Sequence, residues 1–136
     1  MRIDVKIKNI LLRLANKHNT VDVFDICKLE GIQVIFKDYN PNGIKARCIK
    51  LYDEWIIYIN SNFSLKSQYI LCAHELGHIM LHPDCNINNF SGCDYELEHE
   101  ANLFAAYFVL DENLYDLKFS SMNSYLLSAV IDSNIK

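Results

Sequence analysis

The residues best suited to chemistry are His74, Glu75 and His78, which stand in the pentapeptide His-Glu-Leu-Gly-His. In a helix of 3.6 residues per turn, the two histidines lie one turn apart on one face, so both imidazoles can bind one metal ion. Glu75 is offset from His74 by about 100°, which places its carboxylate beside the ion, where it can take a proton from water. A chain of this composition contains about 0.01 such motifs by chance. The motif therefore predicts a catalytic metal site.

A catalytic zinc site needs a third protein ligand and keeps one coordination position open. A helix predicted over residues 94–110 offers two acids, Glu98 and Glu100. On a helical wheel Glu98 lies about 60° from the centre of the apolar stripe, and Glu100 about 100° away on the opposite flank. We predict Glu98 as the third ligand, with Glu100 as the alternative. Asn102 follows Glu98 by one turn and could hydrogen-bond a ligand histidine, which would fix its tautomer.

Other residues around the motif carry weaker predictions. Tyr69 and Tyr107 are candidate donors to the oxyanion of the reaction. His82 is interpreted as a helix C-terminal histidine favoured by the helix dipole, one turn too far along to share the ion. Gly77 costs a helix about 1 kcal/mol relative to alanine, which is explained if a neighbouring element approaches closely and is otherwise unoptimised. The strand at 55–59 is either an exposed edge that binds an extended substrate or an ordinary buried strand.

The elements that must position these residues follow from periodicity and turn signals. Two amphipathic helices come first, and three segments rich in β-branched and aromatic residues follow at 32–36, 44–51 and 55–60. The HExxH helix then ends before Pro83, a polar loop covers 84–93, and the long second helix leads to shorter helices after Asp111. This order predicts an α+β fold with a small antiparallel or mixed sheet.

Composition bounds the class of protein. The chain has 136 residues, a formal net charge of −4 and 51% hydrophobic residues, which predicts a single domain over 1–136 with a real core. The acidic balance argues against direct nucleic-acid binding. No apolar run approaches the roughly 20 residues of a membrane helix, and the N-terminal segment does not resemble a signal peptide. We therefore expect no membrane association.

The cysteines indicate a reducing compartment. Their number is odd and no CxxC spacing occurs, so we expect free thiols and a cytoplasmic protein. Cys85 and Cys93 flank the polar loop, but two thiols alone make a poor second metal site. The five positions are Cys27, Cys48, Cys72, Cys85 and Cys93.

Two blocks of the chain resemble the ImmA/IrrE-type metallopeptidases. These are His74-Glu-Leu-Gly-His78 and the downstream Glu98-His-Glu-Ala-Asn-Leu-Phe-Ala105, which matches the family pattern E-x-[EQ]-A-[ND]-x-F-A. The likeness extends over roughly residues 32–110. It implies a zincin-like fold in which a three-stranded sheet packs against the HExxH helix and a second ligand-bearing helix, with additional N- and C-terminal helices. It also implies zinc on His74, His78 and the helix glutamate, with Glu75 as the catalytic base.

The function that the resemblance implies is zinc-dependent endopeptidase activity on a regulatory protein. Such proteins are often encoded on phages or mobile elements and inactivate a helix-turn-helix repressor. Two alternatives remain: a regulator that sequesters the repressor without cutting it, and a zinc hydrolase of a small molecule. The scissile bond, the activating signal and the oligomeric state do not follow from the sequence.

Overall fold

A computed structural model describes residues 1–84 and 95–136 of the chain. These residues form an α+β fold, as the sequence predicts, with five α-helices and three strands. The helices are α1 (Ile3–His18), α2 (Val23–Leu29), α3 (Leu65–Leu81), α4 (Tyr95–Val109) and α5 (Ser124–Ser133). The strands are β1 (Gln33–Lys37), β2 (Ala46–Leu51) and β3 (Glu54–Asn60), and single 3₁₀ turns at Glu112–Leu114 and Phe119–Ser121 precede α5.

Two expectations from the sequence concern a membrane-spanning helix and a second metal site. None of the helices in residues 1–84 and 95–136 is both long and apolar enough to cross a membrane. The two thiols considered for a second metal, Cys85 and Cys93, lie outside the described residues, as does nearly all of the predicted polar loop.

The sheet is mixed, and its strand order is β1-β3-β2. β3 runs parallel to β1, with Ile57 opposite Val34, and antiparallel to β2, with Ile57 opposite Cys48. The turn between β2 and β3 holds Tyr52 and Asp53 at positive φ (50° and 66°), as a two-residue hairpin with the usual strand twist requires. Because β3 is paired on both sides, the structure selects the second of the two alternatives for 55–59, an ordinary strand inside the sheet. β2 is an edge strand instead.

The helix α3 lies in the centre of the molecule, between the sheet and α4. Apolar residues occur around most of its circumference, which is the pattern of a helix buried on several sides. Its first turn is capped by Ser64, whose Oγ accepts a hydrogen bond from the Ser67 amide. It ends at Leu81, one residue earlier than His82, because Pro83 disfavours helical backbone in the residue before it. The buried Ile57 and Ile59 of β3 belong to the same core.

α3 and α4 approach each other closely at Gly77. A Cβ atom built on Gly77 would lie 2.9 Å from Cβ of Phe104, which is closer than such atoms come in proteins. Phe104 is fully buried in the core, so its side chain cannot move aside without displacing other core residues. Of the two explanations for Gly77, the structure supports the close approach of a neighbouring element, and that element is α4.

Candidate metal centre

The close contact between α3 and α4 brings three candidate metal ligands together. His74 and His78 point from successive turns of α3, and Glu98 comes from the first turn of α4. Glu98 Oε1 lies 2.8 Å from His78 Nε2, and Glu98 Oε2 lies 3.1 Å from His74 Nε2. One donor atom from each residue falls within 4.8 Å of the other two. The two imidazoles thus converge on one carboxylate.

The electrostatics of this cluster favour charged forms. Burial by itself raises the pKa of Glu98, but hydrogen bonds and attraction from His74 and His78 outweigh it and hold that pKa well below its usual range. Burial lowers the pKa of His74, yet the hydrogen bond to Glu98, the charges of Glu75 and Glu98, and an interaction with Asn102 raise it overall. Glu98 is therefore ionised, and a cation that binds beside it would replace the proton that His74 otherwise holds.

A cleft of about 360 Å³ opens onto the cluster. Glu75 and Asn102 line it together with His74 and Glu98, so the predicted base and the predicted positioning residue share one space with the candidate ligands. Its other walls come from the start of β2, the first half of α3 and the C-terminal part of the chain. These wall residues are Lys45, Ala46, Ile70, Leu71, Ser128, Ile131, Asp132 and Ile135.

The structure separates the two acids considered for the third ligand position. Glu98 contacts both motif histidines, whereas Glu100 Oε1 lies 2.8 Å from His82 Nε2. His82 follows the last residue of α3 as its C-cap, so it lies at the C-terminal end of the helix as predicted. It is buried, however, and its Nδ1 lies 3.3 Å from Nδ1 of His78. Glu100 and His82 therefore form a hydrogen-bonded pair of their own, next to the cluster of His74, His78 and Glu98.

The two tyrosines considered as oxyanion donors lie elsewhere. The Tyr69 hydroxyl donates to Asp22 Oδ2 at 3.0 Å, at the start of α2, and this hydrogen bond, followed by burial, raises its pKa. Tyr107 packs against Phe119 and lines a small apolar pocket beside α1. Neither residue lines the cleft that contains His74 and Glu75.

Two features of the site, the α5 wall and the buried Cys48, do not follow from the sequence. α5 supplies part of the cleft wall, and Asp132 Oδ1 lies 4.0 Å from Nζ of Lys45, which also lines the cleft. Cys48 of β2 is buried near the acids: burial, then the charges of Glu75 and Glu98, raise its pKa well above the usual value. Its thiol therefore stays protonated. Nothing in the local pattern of 46–51 or 124–133 indicates these positions, because both depend on long-range packing.

The donor set fits zinc. Catalytic zinc sites commonly combine two histidines with one carboxylate and keep a fourth position for water or substrate. Here the Nε2 atoms of His74 and His78 converge on the carboxylate of Glu98, and His74 and Glu98 also line a cleft. A mixed three-stranded sheet behind an HExxH helix, with a glutamate from a second helix, defines a zincin-like arrangement.

Comparison with known proteins agrees with this class. Residues 27–131 match the family model of peptidase M78, the IrrE N-terminal-like domain. The chain is 31% identical over 112 residues to Metallopeptidase ImmA of Bacillus subtilis (strain 168), covering 79% of this chain and 65% of that protein. It is 31% identical over 117 residues to Uncharacterized immunity region protein 2 of Bacillus phage phi105, covering 78% of this chain and 69% of that protein. No solved structure gave a significant match.

The chain belongs to the ImmA/IrrE family of metallopeptidases. It spans slightly less than two thirds of the length of the Bacillus subtilis relative.

Proposed function

We propose that this protein is a zinc-dependent endopeptidase in which His74, His78 and Glu98 hold the metal and Glu75 is the catalytic base. The observation that carries the proposal is the convergence of three donor atoms within 4.8 Å, in a cleft that Glu75 also lines. A metal site without catalysis would have no need of a carboxylate at that position. Family membership supports the same activity.

Each residue has a distinct task in hydrolysis. Zinc, when bound, supplies a positive charge that polarises the peptide carbonyl and makes water more acidic. Glu75 accepts the proton of the attacking water and delivers it to the departing amine nitrogen as the C–N bond breaks. Glu75 suits this task because α3 holds it next to His74 and only 7% of its surface is exposed.

The shape of the cleft favours an extended peptide. Within the described residues β2 pairs only with β3, so its other edge presents unpaired backbone groups. Lys45 and Ala46, at the start of β2, line the same cleft as the metal ligands. A substrate strand that adds to β2 would thus pass the metal centre, and main-chain hydrogen bonds would hold it there.

We further propose that the substrate is a regulatory protein, namely a helix-turn-helix repressor of a phage or mobile element, and that the reaction takes place in the cytoplasm. The name of one relative, an immunity region protein of a phage, supports this setting. The net charge of −4 supports action on the repressor protein rather than on its DNA.

Glu75→Gln tests the activity. The variant should still bind zinc but cleave candidate repressors about 10²–10⁴-fold more slowly, because it removes the proton acceptor and leaves the ligands in place. Wild type and variant are incubated with repressors encoded near the gene, and fragments are followed by mass spectrometry. Glu96→Gln is the matched control, since Glu96 is exposed on α4.

The possible outcomes separate the candidate functions. Fragments from wild type and Glu96→Gln, but not from Glu75→Gln, support the peptidase. Loss of free repressor without fragments, equal in wild type and Glu75→Gln, would show sequestration instead. Undiminished cleavage by Glu75→Gln would refute the role of the base.

A further inference from the structure

A line of hydrogen-bonding groups continues behind the candidate ligand His78. His78 Nε2 faces Glu98 at 2.8 Å, and His78 Nδ1 lies 3.3 Å from Nδ1 of His82. His82 Nε2 in turn lies 2.8 Å from Oε1 of Glu100. Both imidazoles are buried, with 5% of each side chain exposed, and the Glu100 side chain is 21% exposed. Solvent therefore does not offer these ring nitrogens an easy alternative partner.

The direction of each hydrogen bond follows from which of its two groups can donate a proton and which can only accept one. An ionised carboxylate only accepts, so His82 Nε2 carries a proton and donates it to Glu100. In a neutral imidazole the other nitrogen is an acceptor, so His82 Nδ1 accepts from a proton on His78 Nδ1. When a metal ion replaces the proton that His78 Nε2 otherwise donates to Glu98, the proton on Nδ1 stays in place and Nε2 offers its lone pair. That lone pair lies on the side of Glu98 and His74, where the donor atoms converge.

We propose that His82 and Glu100 are positioning residues that fix the ring orientation and the tautomer of the metal ligand His78. This inference rests on the metal centre of the proposed function and adds to it two residues that act on a ligand rather than on the ion. Helix geometry explains the arrangement: His82 is one turn beyond His78, so its ring reaches the back of the ligand and not the ion. Glu100 is two residues beyond Glu98, so it faces away from the metal position and towards His82.

The rival explanation is that the pair is only a buried structural contact. A buried histidine and a nearby carboxylate would bind each other in any core, because leaving either polar group unpaired costs stability. This rival predicts an effect on folding alone. The positioning role predicts a change at His78 Nε2, which zinc affinity reports directly.

The test compares His82→Phe with His82→Gln. Phenylalanine fills the volume but accepts no hydrogen bond, whereas the amide oxygen of glutamine can accept from His78 Nδ1. We expect His82→Phe to weaken zinc binding by about 10–100-fold and His82→Gln to recover part of that loss. Glu100→Leu should also weaken binding, and Glu96→Gln, exposed on the same helix, should not. Zinc affinity is measured by competition with a chromogenic chelator, and urea unfolding of the metal-free forms measures stability.

A second measurement does not depend on the variants folding. Long-range ¹H–¹⁵N spectra of the zinc-loaded wild type should show His82 protonated at Nε2 alone and His78 protonated at Nδ1. Protonation of His82 at Nδ1 would overturn the proposal, as would unchanged zinc affinity in folded His82→Phe. In both cases zinc binding by the wild type and cleavage dependent on Glu75 would leave the proposed function standing. Failure of the wild type to bind zinc would overturn both.

Discussion

Two histidine–glutamate contacts in this molecule look alike at the level of one hydrogen bond. At the ends of α1 and α2, His18 Nε2 lies 2.6 Å from Glu30 Oε2. At the candidate metal centre, His78 Nε2 lies 2.8 Å from Glu98 Oε1. In both places burial raises the pKa of the carboxyl group, and neighbouring groups outweigh it and lower that pKa overall. A shifted pKa therefore does not distinguish a site from a structural contact.

The difference lies in what else converges on the carboxylate. Lys17 Nζ reaches the same oxygen of Glu30 at 2.9 Å, so a side-chain cation already neutralises it. At Glu98 the second partner is another imidazole, His74, and a cleft adjoins the cluster. Two imidazole nitrogens and one carboxylate beside a cleft form a candidate metal site. One histidine, one lysine and one carboxylate form a structural contact between the ends of two helices.

Removing each carboxylate is the strongest way to test this comparison. Glu98→Ala should weaken zinc binding by more than the roughly 10–100-fold that the loss of an outer partner costs, because a direct ligand disappears. Glu30→Ala should leave zinc affinity unchanged. Isothermal titration with zinc measures both variants. Equal losses in the two would mean that the three-residue cluster is not the metal site.

Glycine substitutions give the next largest effect. In Gly77→Ala the new Cβ meets buried Phe104 at 2.9 Å, and such overpacking costs about 1–3 kcal/mol. Since α3 and α4 must then separate, we expect weaker zinc binding as well as lower stability in urea.

Gly31→Ala is the matched control in the other region. Gly31 has φ of 78° and no atom within 4 Å of the added Cβ, so alanine there strains the backbone by about 1–2 kcal/mol without a clash. Its zinc affinity should equal that of the wild type. If Gly77→Ala binds zinc as the wild type does, the helix contact does not control the ligand geometry.

The smallest expected effect is the contribution of Glu30 to the pH dependence of the free energy of unfolding. Because its pKa in the folded state lies below the ordinary 4.5, the ionised form stabilises the fold above about pH 4.5. That contribution is lost as the pH falls through the lowered pKa. The free energy of unfolding of the metal-free wild type should thus exceed that of Glu30→Gln at pH 7, and the gap should shrink on acidification. A gap independent of pH would contradict the assignment.

Local sequence patterns predicted much of the site. The spacing of His74 and His78 at helical period, and the position of Glu98 beside the apolar stripe of α4, are properties of single helices, which sequence reports well. The structure brings these three residues together. The β2–β3 hairpin is also local, since it depends on adjacent segments and a short turn.

The features that sequence did not predict depend on distant parts of the chain. The parallel pairing of β1 with β3 places β3 in the centre of the sheet, and no pattern within 55–59 distinguishes a central strand from an edge. The sequence relates His82 only to the helix dipole, because nothing local shows that Glu100, 18 residues away on another helix, is its partner. The α5 wall of the cleft likewise follows from packing against α4 rather than from its own residues.

The proposed ligands are divided between α3 and α4, with His78 and Glu98 separated by 20 positions in the chain. An ion that binds only when the two helices are docked stabilises that form by mass action, by about 4 kcal/mol at a thousand times its dissociation constant. The supply of that ion would thereby govern how long the folded chain survives in a cell that degrades partly unfolded proteins.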